Sequence, residues 1–173
     1  PEGGVVELEA LGQFLPDGLF DDAGRRLEVL EGETSRSGGR DRMLAQLLSR
    51  SRELRDRSDY PVRACGISFG GPVDFARQLV RSLHVEGWDD FALARWVRET
   101  LSLPCRLDND ANAGALGEYR FGAGRGTGSM FYMTLSTGIG GGLVLGGKVP
   151  LLALAMAVTE LAHLLWFLPT RQQ

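Results

Sequence analysis

Leu107-Asp108-Asn109-Asp110-Ala111-Asn112-Ala113 is the stretch on which the fold turns. Pro104 to Leu107, just ahead of it, reads as a short strand that empties into Asp108-Asn109-Asp110. Asp110 is suited to begin a helix, because Asp and Asn side chains accept hydrogen bonds from the free N–H groups of a first helical turn. The helix is expected to run to about Phe121. A strand that passes through a polar corner directly into a helix belongs to an α/β fold. In open α/β sheets ligands bind beyond the carboxyl ends of the strands, so the same corner is the first place to look for a site.

Working upstream, Phe91, Ala94, Val97 and Leu101 recur at helical spacing. Val62 to Ser68 is a compact apolar run after Pro61, as expected of a buried strand, and it empties into Phe69-Gly70-Gly71-Pro72-Val73-Asp74. Met43, Leu44, Leu47, Leu48 and Leu54 mark one face of a helix starting near Arg40, with Arg and Glu on its solvated side. Nearer the start, Val5 to Ala10 and Arg26 to Glu31 read as strands. Gly12 to Gly24 reads as turns, on Pro16-Asp17-Gly18 and Asp21-Asp22-Ala23-Gly24. Downstream, Ser129 to Leu135 is a strand, Ser136 to Gly142 a turn and Leu143 to Leu145 the returning strand. Strands alternate with helices through residue 120, so residues 1–120 are expected to form an α/β lobe.

Leu151 to Leu168 is mostly apolar, but Thr159, Glu160 and His163 interrupt it. A membrane helix needs ~20 apolar residues, and a central carboxylate is costly there. A buried helix carrying Glu160 and His163 on one face, three residues apart, is the better expectation, with a membrane-attached fragment as the weaker one.

Composition excludes several classes. The 173 residues carry 19 basic and 22 acidic side chains, a net charge of −3, without the basic stripe of a nucleic-acid module. Apolar residues make up 43%, which argues against disorder. Two cysteines, Cys65 and Cys105, lie in strand-like stretches and are expected as free thiols of a cytoplasmic protein. Pro1-Glu2-Gly3-Gly4 has neither the basic nor the apolar region of a secretory leader. Glycine is in excess at 24 residues, against a usual ~7%. Half of these glycines fall between Gly114 and Gly147, which suggests tight turns or close approach of a ligand to backbone.

Four segments could carry chemistry. In Asp108-Asn109-Asp110 a carboxylate can take a proton from a substrate hydroxyl while an amide orients it; a plain helix N-cap is the competing reading. Thr137-Gly138-Ile139-Gly140-Gly141-Gly142 can expose successive N–H groups to a phosphate, or can be an ordinary glycine turn. It is neither a Walker A loop nor a Rossmann fingerprint, since no Gly-Lys-Ser/Thr and no helix follows directly. Gly70-Gly71-Pro72 offers a turn with nothing to obstruct a ligand. Glu160-Leu161-Ala162-His163 places a carboxylate and an imidazole together; with His84 the only other histidine, a His-rich zinc site is excluded.

Taken in order, these segments resemble the ROK sugar kinases and their relatives, which include bacterial glucokinases. The resemblance rests on Gly66-Ile67-Ser68 leading into Gly70-Gly71-Pro72-Val73-Asp74, on Gly87-Trp88-Asp89-Asp90-Phe91 and on Leu107 to Ala113. It continues through Gly117-Glu118-Tyr119, Phe121-Gly122-Ala123-Gly124 and Leu135 to Gly142. It implies an actin-like ATPase (ribonuclease H-like) fold, with residues 121–173 as the start of a second lobe. It implies ATP and Mg²⁺ as cofactors and a hexose such as glucose as substrate; a homodimer is expected as well, and charge, cysteine usage and the carboxylate in the tail lead to the expectation of a cytoplasmic enzyme with no nucleic-acid or membrane partner. Asp110 would be the catalytic base, Asn109 would bind a sugar hydroxyl and Gly71 would lie at the sugar pocket. Thr137 and Gly138 would meet the ATP phosphates. Glu160 and His163 match the family's Glu-x-Gly-His, which contacts the sugar, with Ala162 in place of its glycine.

Two departures stand out. The family's first phosphate hairpin, Asp-x-Gly-Gly-Thr, falls on Ala10-Leu11-Gly12-Gln13-Phe14, where Gly12 alone survives as a cofactor contact. Many members hold zinc between that histidine, here His163, and a later cysteine cluster; this sequence has no such cluster. A kinase is therefore one expectation, and a sugar-binding relative without catalysis is the other.

Overall fold

The computed structural model describes residues 4–10, 17–32, 38–82, 85–135 and 139–150. They divide between two compact units, Pro1–Asp110 and Ala111–Gln173. In the first unit β1 (Gly4–Ala10), β2 (Asp17–Phe20), β3 (Arg26–Leu30), β4 (Val62–Phe69) and β7 (Cys105–Asn109) form one sheet, in the order β3-β2-β1-β4-β7. β1, β4 and β7 run parallel, and β2 and β3 are antiparallel additions. Helix α1 (Gly39–Arg57) follows β3. The two-residue strands β5 (Val73–Asp74) and β6 (Leu79–Val80) form a small hairpin after β4, and α2 (Leu93–Leu101) leads into β7.

Both helices contribute to one core. Met43, Leu44, Leu47 and Leu54 of α1 and Leu93, Ala94, Val97 and Leu101 of α2 are buried with strand residues that include Ile67, Phe69 and Leu107. Apart from Leu93, these helix residues are the ones whose helical spacing was legible in the sequence. Phe91 shares that spacing but precedes α2 and pairs with Val80 as an extra bridge of the β5–β6 hairpin. Trp88 fills the space between, edge-on to Phe69 at 5.4 Å and to Phe91 at 5.6 Å.

The turn-rich reading of Gly12 to Gly24 needs correction at Asp17–Phe20, which is a strand. It is sandwiched between β1 and β3, with Leu19 in the core. Asp17 is 1% exposed and lies 3.4 Å from the Arg50 guanidinium of α1. The turn signal after it is correct. Asp21 Oδ1 accepts the N–H groups of Ala23 and Arg25 at 2.9 and 2.8 Å, and Gly24 takes a φ of 74°.

The backbone N–H and guanidinium of Arg25 hold the Asp21 carboxyl below the ordinary carboxylate range. A depressed folded value stabilises the turn above the unfolded value, and the contribution is lost as pH falls through the folded one. Unfolding curves of wild type and Asp21→Asn should therefore differ at neutral pH and draw together in acid. A constant gap down to the acid limit would contradict this.

The second unit holds α3 (Asp110–Phe121), which begins on the last residue of the first, and the antiparallel hairpin of β8 (Ser129–Leu135) and β9 (Ile139–Leu145). Glu118 closes α3: its carbonyl accepts from Gly122 and Gly124, each at 3.0 Å, and Oε2 accepts from Ala123 at 2.9 Å. Gly140–Gly142, expected as turn, lie in β9 opposite Thr134, Met133 and Tyr132. Gly140 and Gly142 serve packing. A Cβ on Gly142 would come 2.6 Å from the Ala115 methyl, and one on Gly140 would come 3.3 Å from that of Ala111. The strand thus lies against the small face of α3. Gly142→Ala should destabilise this unit by about 1–3 kcal/mol, the usual cost of overpacking, read as a lowered denaturant midpoint; an unchanged midpoint would contradict the packing account.

Cys65 and Cys105 are register partners on β4 and β7, both buried free thiols, as expected. Hydrogen bonding to Cys105 and burial push the Cys65 thiol up, so it stays protonated. No helix among the described residues is long and apolar enough to cross a membrane. The segment 151–173, where a buried helix or a membrane attachment was expected, lies outside the described residues.

Candidate active site

The parallel strands β1, β4 and β7 end together. In register, Glu9 of β1 lies beside Ser68 of β4, and Ser68 beside Asp108 of β7; the next row is Ala10, Phe69 and Asn109. Parallel strands all present their carboxyl ends on one side, which is why polar residues distant in sequence collect there. Phe69 turns into the core and is fully buried, whereas Asp108, Asn109 and Asp110 are half-buried.

The corner itself is tightly determined. The Asn109 N–H donates to its neighbour's Asp108 Oδ1 at 2.7 Å. Its side-chain Nδ2 donates to the Gly71 carbonyl at 3.1 Å. Asn109 and Gly71, two residues expected at a sugar site, are therefore joined by a hydrogen bond across 38 residues of sequence. Gly71 is glycine for a spatial reason. A Cβ there would meet the Arg81 carbonyl at 2.9 Å and the Phe69 ring at 3.0 Å. Asp110 follows Asn109 as the first residue of α3, where the aligned peptide dipoles favour a negative side chain. The arrangement can do two things: present an amide to a hydroxyl group, and offer that hydroxyl a carboxylate on the adjacent residue.

Gly12, Thr137, Gly138, Glu160 and His163 lie outside the described residues. Ala10, which takes the carboxylate position of the first phosphate hairpin, ends β1 beside Phe69. Among the described residues no three His, Cys, Asp or Glu side chains gather as a metal site.

One residue was missed altogether. Gln78, in the β5–β6 hairpin, is 8% exposed and adopts a left-handed backbone with φ 58°. Its Nε2 donates to the carbonyls of Phe75 at 2.7 Å and Leu107 at 3.1 Å, and its Oε1 accepts the Leu107 N–H at 2.9 Å. In sequence Gly70-Gly71-Pro72 reads as a turn with no hairpin predicted after it, and nothing in the pattern separates Gln78 from an exposed glutamine.

Comparison with known proteins gives consistent likenesses. The family model for the ROK family matches residues 17–164. A glucokinase of Thermotoga maritima is 30% identical over 148 residues, covering 85% of this chain and 46% of its own length. Of solved structures, a ROK hexokinase from Thermus thermophilus superposes with a TM-score of 0.77 at 35% identity, over 90% of this chain and 51% of its own. A ROK family glucokinase from Streptomyces griseus, solved in complex with glucose and AMPPNP, superposes with a TM-score of 0.76 at 29% identity, over 86% of this chain and 46% of its own. The chain thus spans about half the length of these relatives.

Proposed function

The chain belongs to the ROK family, whose actin-like α/β fold its sheet shares, and from that premise we propose that the intact protein transfers the γ-phosphate of ATP to a hydroxyl of a glucose-like hexose. The observation that carries this reading is the corner at Asn109: an amide tied to the Gly71 turn, followed at once by the Asp110 carboxylate at a helix start. The relatives matched by sequence and by structure include glucokinases, one of them solved with glucose and an ATP analogue.

In this reading Asn109 and the Gly71 turn receive the sugar. Asp110 takes the proton from the attacking hydroxyl as the new O–P bond forms and the bond from the γ-phosphorus to the bridging oxygen of ADP breaks, so that negative charge does not accumulate on the nucleophile and ADP leaves. Glu160 and His163 are proposed as further sugar contacts, and Gly12, Thr137 and Gly138 as phosphate contacts. When bound, ATP would supply the phosphoryl group, and the Mg²⁺ accompanying it would offset phosphate charge. Residues 1–120 and 121–173 are proposed as one lobe and the start of the next in the intact protein.

A second reading, a sugar-binding relative without turnover, is favoured by Ala10, a residue with no ligating side chain at the end of β1. Calorimetric titration of the intact protein with D-glucose and with Mg-ATP separates the two. Binding of both, with ADP released on mixing, is the expected result. Binding of glucose alone would support the second reading, and binding of neither would overturn both.

A further inference from the structure

We infer that Gln78 is a positioning residue, one that holds Asn109 and Asp110 in place by completing the open edge of β7. The inference rests on the reading of Asn109 and Asp110 as sugar-binding and base residues. Among the described residues β7 is the last strand of the sheet, and no described strand pairs with the backbone groups on its outer side. Side chains take the place of one. Arg98 Nη1 donates to the Cys105 carbonyl at 3.2 Å. The Gln78 amide then pairs with both the N–H and the carbonyl of Leu107, at 2.9 and 3.1 Å, as a residue on an adjacent strand would. Leu107 is 2% exposed, so water is a poor substitute for that amide.

Two further observations point the same way. A backbone with φ above zero is the habitual place of glycine, because a side chain is unfavourable there; Gln78 holds φ 58° and its amide makes three hydrogen bonds. The segment that carries it is also attached to β7 at its other end, through the Gly71 carbonyl and Asn109 Nδ2. The segment from Gly71 to Gln78 is thus fixed to β7 at Leu107 and at Asn109. These two points bracket Asp108 and stop just short of Asp110. A shift of β7 would carry the proposed base with it, and a misplacement of about 1 Å can cost ~10²-fold in rate.

The test uses the intact protein with D-glucose and Mg-ATP, with rates normalised to the folded fraction from circular dichroism. Gln78→Gly accepts the left-handed backbone without strain and removes the amide. It should fold, lower kcat about tenfold, raise the calorimetric Kd for glucose, and leave KM for Mg-ATP unchanged. In Gln78→Glu at alkaline pH a carboxylate faces the Phe75 and Leu107 carbonyls, so kcat should fall. Relative to wild type at each pH, it should recover as the carboxyl is protonated and regains a donor. Combined with Asp110→Asn, Gln78→Gly should lower kcat no further, since the positioned group is already gone. Wild-type kcat and glucose Kd in folded Gln78→Gly, or losses that multiply in the double variant, would overturn the inference. Full activity in Asp110→Asn alone would instead overturn the base assignment, and a wild-type protein that binds no glucose would overturn both.

Discussion

Asp110→Asn in the intact protein is expected to lower kcat for glucose phosphorylation by about 10²–10⁴-fold, the range that a positioned general base contributes. The substitution keeps the size of the side chain and an oxygen able to accept hydrogen bonds at the helix start, so α3 should still form. What it removes is the ability to hold the proton of the sugar hydroxyl. KM for glucose should change little, because Asn109 and the Gly71 turn are untouched. That split between kcat and KM separates a base from a binding residue, since loss of uniform binding raises KM and leaves kcat. A variant that weakens glucose binding while keeping kcat would reassign Asp110 as a sugar contact.

Phe69→Ala should cost about 3–5 kcal/mol of unfolding free energy, the range for deleting a buried aromatic ring. Phe69 is completely buried, stands edge-on to Trp88 at 5.4 Å and underlies Gly71. It is also the register partner of Asn109, so the cavity would open directly beneath the candidate site. Against a total stability of ~5–15 kcal/mol, the loss should appear as a large fall in denaturant midpoint. Phe69→Leu, which refills most of the volume, should recover much of it. Equal losses in both variants would show that ring geometry against Trp88, and not volume, controls this part of the core.

The sequence was most readable where one physical demand dominates. The buried faces of α1 and α2, the strand β4 and the passage from β7 into α3 each follow from burial at a regular period or from a polar helix start. It was least readable where glycine and aspartate do uncharacteristic work. Asp17-Gly18 looks like a turn, yet it is the start of β2, held by pairing on both sides and by Arg50 near the Asp17 carboxylate. Gly140–Gly142 reads as part of a turn, yet it is strand, thinned at Gly140 and Gly142 so that α3 can approach. At the site, Asn109 and Asp110 stand out as a polar cluster between a strand and a helix. The bond from Asn109 to Gly71 and the Gln78 amide on Leu107 are long-range contacts without local periodicity, so only the folded chain reveals them.

Under the proposed function this corner belongs to a phosphoryl-transfer site, despite Ala10 at the end of β1. The most direct test incubates the intact protein with D-glucose and ATP labelled in the γ-phosphate, in the presence of Mg²⁺, and follows the label. Its appearance in a sugar phosphate, abolished by Asp110→Asn, is the predicted result. Glucose binding with the label remaining in ATP would contradict the claim and leave a sugar-binding protein without transfer.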